Sequence, residues 1–380
     1  MFSSKRIVQL PASDATPPQS SRFLRLWPVG LLAILLLLRW LLPAAAIEKV
    51  YSRGVFVGVR NVWDYTLPQL PVPLFYVFWL GVLVWIVRTG VLFWRARRMQ
   101  GGVKKQWKQF GLRLLNSVAL LVSVFLLAWG FNYGRVEVND KIGFEMYQPI
   151  LDELRQRVYT EAAGLADWRQ RITSDTTALG PEHFIEPEDA VRHLVRRALT
   201  YHGYPDPGRP RLRQLRPRGI LLKWSTAGVY WPWAGEGNID AGLHPLQKYP
   251  VGAHELAHAY GFGDEGTCTF WAWLAGQETK DPVAAYAFKL DYWRRIAGKL
   301  RQQEPQAYWE WRAANLDAGV RNDLQAIYDN SELYKDIAPV IRDAAYDTYL
   351  KAQGIHEGLL NYGKVIQMVE GYRKWERTGL

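Results

Sequence analysis

The chain has 380 residues, with 47 Lys and Arg against 36 Asp and Glu, a formal charge of +11, and one cysteine. A single thiol excludes an intramolecular disulfide framework and a zinc site built from several thiolates. Residues 1–131 hold 16 basic and 3 acidic side chains, leaving 31 and 33 for the remainder, so the positive surplus reports membrane topology and gives little reason to look for nucleic acid.

Residues 1–25 precede three apolar runs, at 26–47, 72–94 and 114–131. Each is close to the roughly 20 mostly apolar residues that a spanning helix needs. Only Arg39 interrupts the first and Arg88 the second. Each lies within a few turns of its helix end, from where it can snorkel to the interface. Basic residues crowd the segment before the first run (Lys5, Arg6, Arg22, Arg25) and the loop after the second (Arg95, Arg97, Arg98, Lys104, Lys105, Lys108). The positive-inside rule then places both in the cytoplasm. Three crossings put residues 132–380 outside. Ala44–Ala46 resembles a signal-peptidase site at the end of the first run, but two more spans follow, and an uncleaved anchor is expected.

Residues 132–150 read as an extended linker. From 151 to 168 a helix is expected, with Leu151, Leu154, Val158, Ala162 and Leu165 on one stripe. Pro187 starts a second amphipathic helix that Gly203 can end. Residues 205–220 form a Pro- and Arg-rich connector. Its Arg209, Arg211, Arg213, Arg216 and Arg218 are expected to be solvated. The apolar, aromatic stretch 219–233 and the segment 235–242 read as a small sheet. Within 230–239 an edge strand is expected to bind substrate backbone, with Glu236 and Asn238 in a turn or near the substrate. Helical periodicity follows from 251 to the C-terminus, broken at Gly354 and Gly358. The fold class is therefore mainly α, with a small sheet.

The chemistry lies in HELAH at 254–258. Spacing of four puts His254 and His258 on one helical face, where both imidazoles reach one zinc ion. Glu255 projects toward the open side of the same site, placed as general base. Gly261 and Gly263 let the helix end and the chain turn. The third ligand is then Asp264 or Glu265. Cys268 reads as a small buried side chain, and His183, His193, His202, His244 and His356 lack ligand spacing. Tyr346 and Tyr362 are candidate oxyanion donors, although a structural role is favoured for each.

These residues resemble a bacterial family of membrane-anchored, zincin-like proteins, domain of unknown function family 3810. The resemblance rests on the three apolar runs, NYGR at 132–135, GVYWPWAGEGNID at 228–240, HELAHAYGFGDEGTCTFWAWLA at 254–275 and YDTYLKAQGIHEGLLNYGKVI at 346–366. The family pattern continues from HELAH through Gly to Glu-x-Glu-Ala-Asn. Its first Glu matches Glu265, whereas Thr267 and Thr269 stand at its second Glu and its Asn. The resemblance implies a zincin-like α+β domain with an HExxH helix over 132–380, and zinc held by His254, His258 and Glu265. It implies a peptide-hydrolysing membrane enzyme of the cell membrane, with its partners a lipid bilayer and a peptide or protein substrate. The alternative, supported by the two Thr departures, is an inactive zincin-like sensor or assembly factor.

Overall fold

A computed structural model describes residues 26–98, 103–337 and 363–379, together with 339, 343, 344, 347, 348, 351 and 353. Residues 1–25, Tyr346, His356, Tyr362 and the breaks at Gly354 and Gly358 lie outside the described residues.

Two helices, Leu74–Arg98 and Val103–Ala128, are long and apolar enough to cross a membrane. Leu74 is buried at the start of the first of these helices, but the most apolar stretch within Leu74–Arg95 has no buried residue, which suits a lipid environment. The first apolar run is shorter than its hydropathy indicates. Its helix, Trp27–Leu41, stops at an extended Leu42 followed by Pro43. Proline disfavours helical geometry in the residue before it and lacks an N–H of its own. The chain then bends by 112° into Ala44–Asp64, wound as a π-helix over Ile47–Val55 and as an α-helix over Phe56–Asp64. The bent pair counts as one more span if taken together. Ile47, Glu48, Tyr51, Ser52, Phe56, Arg60 and Asp64 are buried, while Val50, Val55 and Val62 stay exposed. This segment is thus amphipathic, with its buried face on the rest of the protein.

Residues 132–150 are not a free linker. Gly130–Gly134 forms a 3-10 turn and Val138–Ile142 a short helix, with Asn132, Val138 and Asn139 buried. Arg135 ties this segment down. Its guanidinium donates to Glu48 (2.9 Å) and to the Gly261 carbonyl (2.9 Å). Single-sequence periodicity misses such anchoring because the partners lie far apart in the chain.

Helices Leu151–Ile172 and Pro187–Tyr201 form where their apolar stripes predict, and Gly203 ends the second with φ 69°. The arginine-rich connector departs from expectation, since it contains strand β1, Leu212–Leu215. Three of its five arginines are paired with acids: Arg209 with Asp189, Arg211 with Glu188, and Arg213 with the buried Glu236, while Arg216 and Arg218 are exposed, as expected. Arg213 also donates to the carbonyls of Pro68 (2.8 Å) and Leu70 (2.7 Å).

The sheet has three strands in the order β1-β3-β2. Strand β2 is Gly228–Trp231 and β3 is Glu236–Asp240. β1 runs parallel to β3, and β2 antiparallel, with Tyr230 opposite Gly237. The centre is therefore β3, and every one of its residues is buried. Glu236 accepts from Arg213 (3.2 Å) and from the Leu74 amide (2.8 Å), and Asn238 donates to the Glu236 carbonyl (3.1 Å). Both acids and amides here are structural, and only β2 offers the expected edge.

The HELAH helix begins earlier than Pro250 suggests. It spans Pro245–Ala259, with His244 as N-cap accepting the Leu246 amide. It is buried nearly all round, between the sheet and the helices Glu265–Gln277, Pro187–Tyr201 and Pro282–Gln303. Helices Pro305–Asn315, Ala318–Glu332 and Lys364–Thr378 complete the described fold.

Candidate metal centre

The end of the HELAH helix orients one candidate ligand. Gly261 takes φ 91°, a left-handed geometry that suits glycine. The Phe262 amide then bonds back to the Ala257 carbonyl (3.2 Å) and the Gly261 amide to that of His258 (2.9 Å), a Schellman closure. This turn brings the Phe262 carbonyl beneath His258, whose Nδ1–H donates to it (2.7 Å). A Cβ on Gly261 would lie 2.8 Å from the Phe56 ring and 3.0 Å from Asn132, so the NYGR segment and the bent N-terminal helix both support the turn.

The next helix, Glu265–Gln277, supplies the rest. Glu265 and Thr269 are four apart and share a face. The Thr269 hydroxyl donates to the Glu265 carbonyl (2.9 Å) and is left to accept from His254 Nδ1–H (3.1 Å). Each Nδ1 thus has an acceptor for its hydrogen, which leaves Nε2 as the nitrogen that offers a lone pair to a metal when the ring is neutral.

These lone pairs converge. His254 Nε2 lies 3.1 Å from His258 Nε2 and 2.9 Å from Glu265 Oε2, and His258 Nε2 lies 3.5 Å from the same oxygen. Among the described residues this trio is the only grouping of His, Cys, Asp and Glu able to hold a metal ion. Three electron-pair donors at such distances repel unless a cation sits among them. Ligands about 2.05 Å from one tetrahedral zinc stand about 3.3 Å apart, so the observed spacings fit. Without metal the cluster is balanced by a proton. Burial opposes charge on His258, but Cys268 and Glu265 push its imidazole well above the usual range. Burial would raise Glu265, but His258 and His254 hold its carboxyl well below normal.

Asp264 is turned to another task. Its carboxylate accepts the Thr267 amide (2.7 Å) as N-cap and lies 3.7 Å from Lys364. Cys268 is buried on the Nδ1 side of His258 (3.2 Å), away from the converging lone pairs; burial pushes its thiol up to about 12.

Glu255 lies beside the trio. Burial pushes its carboxyl up to about 8, with His258 lowering it, Glu265 raising it and the Tyr230 amide donating to it. Its Oε2 is buried without a hydrogen-bond partner, an orphan acceptor next to an apparent ligand set. Gly228 makes room for it, since a Cβ there would stand 2.6 Å from Glu255 Oε1.

Sequence reasoning missed the two orienting groups, the Thr269 hydroxyl and the Phe262 carbonyl. The four-residue spacing of Glu265 and Thr269 was a usable signal for the first. It also missed Trp129, whose indole N–H donates to the His258 carbonyl (2.7 Å) although 129 residues separate them.

A model of the family described as "Protein of unknown function (DUF3810)" matches residues 51–369. The chain belongs to that family. No curated protein and no solved structure matches it.

Proposed function

We propose that the protein is a membrane-anchored, zinc-dependent peptidase with a zincin-like domain. The observation that carries this reading is the convergence of the His254, His258 and Glu265 lone pairs, each imidazole oriented by its own Nδ1–H acceptor. Such outer partners are what metal-binding histidines use to fix ring orientation. Zinc, when bound, supplies Lewis acidity and brings the pKa of water near 7.

The chain's own residues do the remainder. Glu255, one residue from a ligand and with an unpartnered Oε2, takes the proton of the attacking water and returns it to the leaving amine. The outer edge of β2 lays the substrate backbone alongside. Along an antiparallel pair, residues face the partner strand alternately. The Asp240 amide bonds the Ala227 carbonyl (3.0 Å), which puts Val229 and Trp231 on the β3 side and turns Gly228 and Tyr230 outward. The Tyr230 amide accordingly reaches Glu255.

For topology we infer a cytoplasmic N-terminus and basic loop, with the domain on the periplasmic or outer side of the cell membrane. Residues 47–73 support this. Arg60 donates to the Gly235 carbonyl (2.9 Å) and Trp63 to that of Ala234 (2.8 Å), so the loop between the first and second apolar runs shares a side with the sheet.

The test is metal content and turnover of the full chain. Purified protein should hold about one zinc per chain, and the double His254→Ala, His258→Ala variant should hold none. Glu255→Gln should keep zinc and lose peptide hydrolysis by at least about 100-fold. Retained zinc in the double variant would sink the site, and unchanged turnover in Glu255→Gln the general-base role. Bound zinc without hydrolysis of any peptide would favour the inactive sensor.

A further inference from the structure

We propose that the substrate is a polypeptide anchored in the same bilayer, cut within a few residues of the point where it leaves the membrane. This rests on the peptidase reading above.

HELAH stands more than a hundred residues beyond the last apolar run in sequence, yet the fold returns it to the end of that run. The apolar helix ends at Ala128. Trp129, the next residue, donates to the His258 carbonyl, and its ring centroid lies 6.4 Å from the His258 imidazole and 5.3 Å from Tyr230. Trp129 is buried and joins the last turn of that apolar helix directly to the HELAH helix, so His258, a ligand of the candidate metal, stands at the level where the helix leaves the hydrocarbon.

The edge strand runs from the site into the same region. Gly228 abuts Glu255. Three residues on, about 10 Å at strand rise, Trp231 packs on Phe75, Phe78 and Trp79 at the start of the Leu74–Arg98 helix. Trp233, in the turn after β2, lies against Phe78 and Phe125 and donates to the Leu121 carbonyl (3.0 Å). Leu121 is seven residues inside the Val103–Ala128 helix, about 10 Å along its axis. The β2–β3 turn therefore wedges between the two long apolar helices, deeper than Trp129.

A chain that pairs with the outward groups of Gly228 and with the Tyr230 carbonyl follows this line, with one end beside Glu255 and the other entering the bilayer. Unpaired backbone groups cost more near hydrocarbon than in water, which favours pairing there. The exposed Val50, Val55 and Val62 of the bent segment, on the face opposite its buried one, suit contact with the bilayer surface and hold the domain down. A substrate confined to the same surface gains effective concentration over one free in solution.

The experiment uses the full chain, loaded with zinc, in vesicles of phosphatidylethanolamine and phosphatidylglycerol. A degenerate segment of about twelve residues, extended enough to span about 40 Å, is presented in three ways at equal total concentration. It is fused directly to a single transmembrane helix, fused through a rigid helical spacer of about thirty residues that lifts it about 45 Å, or supplied free. Mass spectrometry reads the products, and Glu255→Gln shows which cuts belong to this site. The inference expects the directly fused segment to be cut at least tenfold faster than either other form, with cuts close to the membrane. Equal rates in all three, or faster cutting of the free or raised segment, would overturn it and leave the peptidase reading intact. No Glu255-dependent cutting in any form would overturn both.

Discussion

Replacing Thr269 with valine isolates the orientation of one ligand. The branched shape is kept and the hydroxyl is removed. His254 Nδ1–H then loses its acceptor at 3.1 Å, and the Glu265 carbonyl loses a donor at 2.9 Å. A ring N–H left unpartnered in a largely buried place costs about 1–3 kcal/mol. Part of that falls on the metal-free fold as well. Only the share that appears when His254 is held by zinc lowers affinity. Loss of an outer partner of a metal-binding histidine typically weakens binding about 10–100-fold, or about 1.4–2.7 kcal/mol, within the same range. The share borne by the fold, about 1 kcal/mol, should lower Tm by about 2–4 °C. Zinc affinity is read by competition with a chromophoric chelator, and circular dichroism reports the fold. Thr267→Val serves as the control, because it leaves the amide that Asp264 caps in place, and its affinity should stay within about twofold of the parent. A folded Thr269→Val protein with unchanged zinc affinity would refute the argument that this hydroxyl sets the His254 lone pair.

Zinc uptake should release protons, and Glu255 should supply one of them. With its carboxyl at about 8 in the metal-free protein, it is protonated at neutral pH, and a bound divalent charge reverses that preference. Calorimetry in buffers of different ionisation enthalpy should count about one proton fewer for Glu255→Gln at pH 7; equal counts would contradict this. Because burial raises this group above its unfolded value, its contribution to metal-free stability is full below about pH 4.5 and is lost progressively as pH rises from there through about 8. Thermal melts of the zinc-free protein should therefore fall between pH 6 and pH 9, less so in Glu255→Gln, and parallel curves would disprove the coupling. Gly228→Ala places a methyl 2.6 Å from Glu255 Oε1, so hydrolysis should drop at least about tenfold, or 1.4 kcal/mol of transition-state stabilisation, with zinc retained; unchanged kcat would show that the two do not abut in the working enzyme. The inferred topology is open to thiol labelling, since the lone Cys268 is buried. An impermeant maleimide added to intact cells should label Lys280→Cys and spare Gln100→Cys, and the reverse pattern would invert the orientation.

The sequence by itself determined what depends on local spacing and composition. The split of charge located the third that carries the helices long and apolar enough to span a membrane. Spacing of four in HELAH put two imidazoles on one face, and the Gly261 signal ended that helix where the structure ends it. The stripe of helix Leu151–Ile172 was legible because burial repeats with the helical period. Pro43 was legible too, yet hydropathy averaged over it, so the first run looked longer than its helix. Only the tertiary structure decided what depends on contacts between distant segments. Arg209, Arg211 and Arg213 of the connector looked solvated because Glu188, Asp189 and Glu236, which pair with them, are not their sequence neighbours. The choice between Asp264 and Glu265 turned on which carboxylate faced back across the turn, and a one-residue difference on a helix start is a rotation of roughly 100° that spacing alone does not orient. Thr269, a departure from the family pattern, orients the candidate ligand His254. The return of His258 to Trp129, at the end of the last apolar helix, is likewise a fact of packing. Periodicity records which face of an element is buried, and the fold alone records against what.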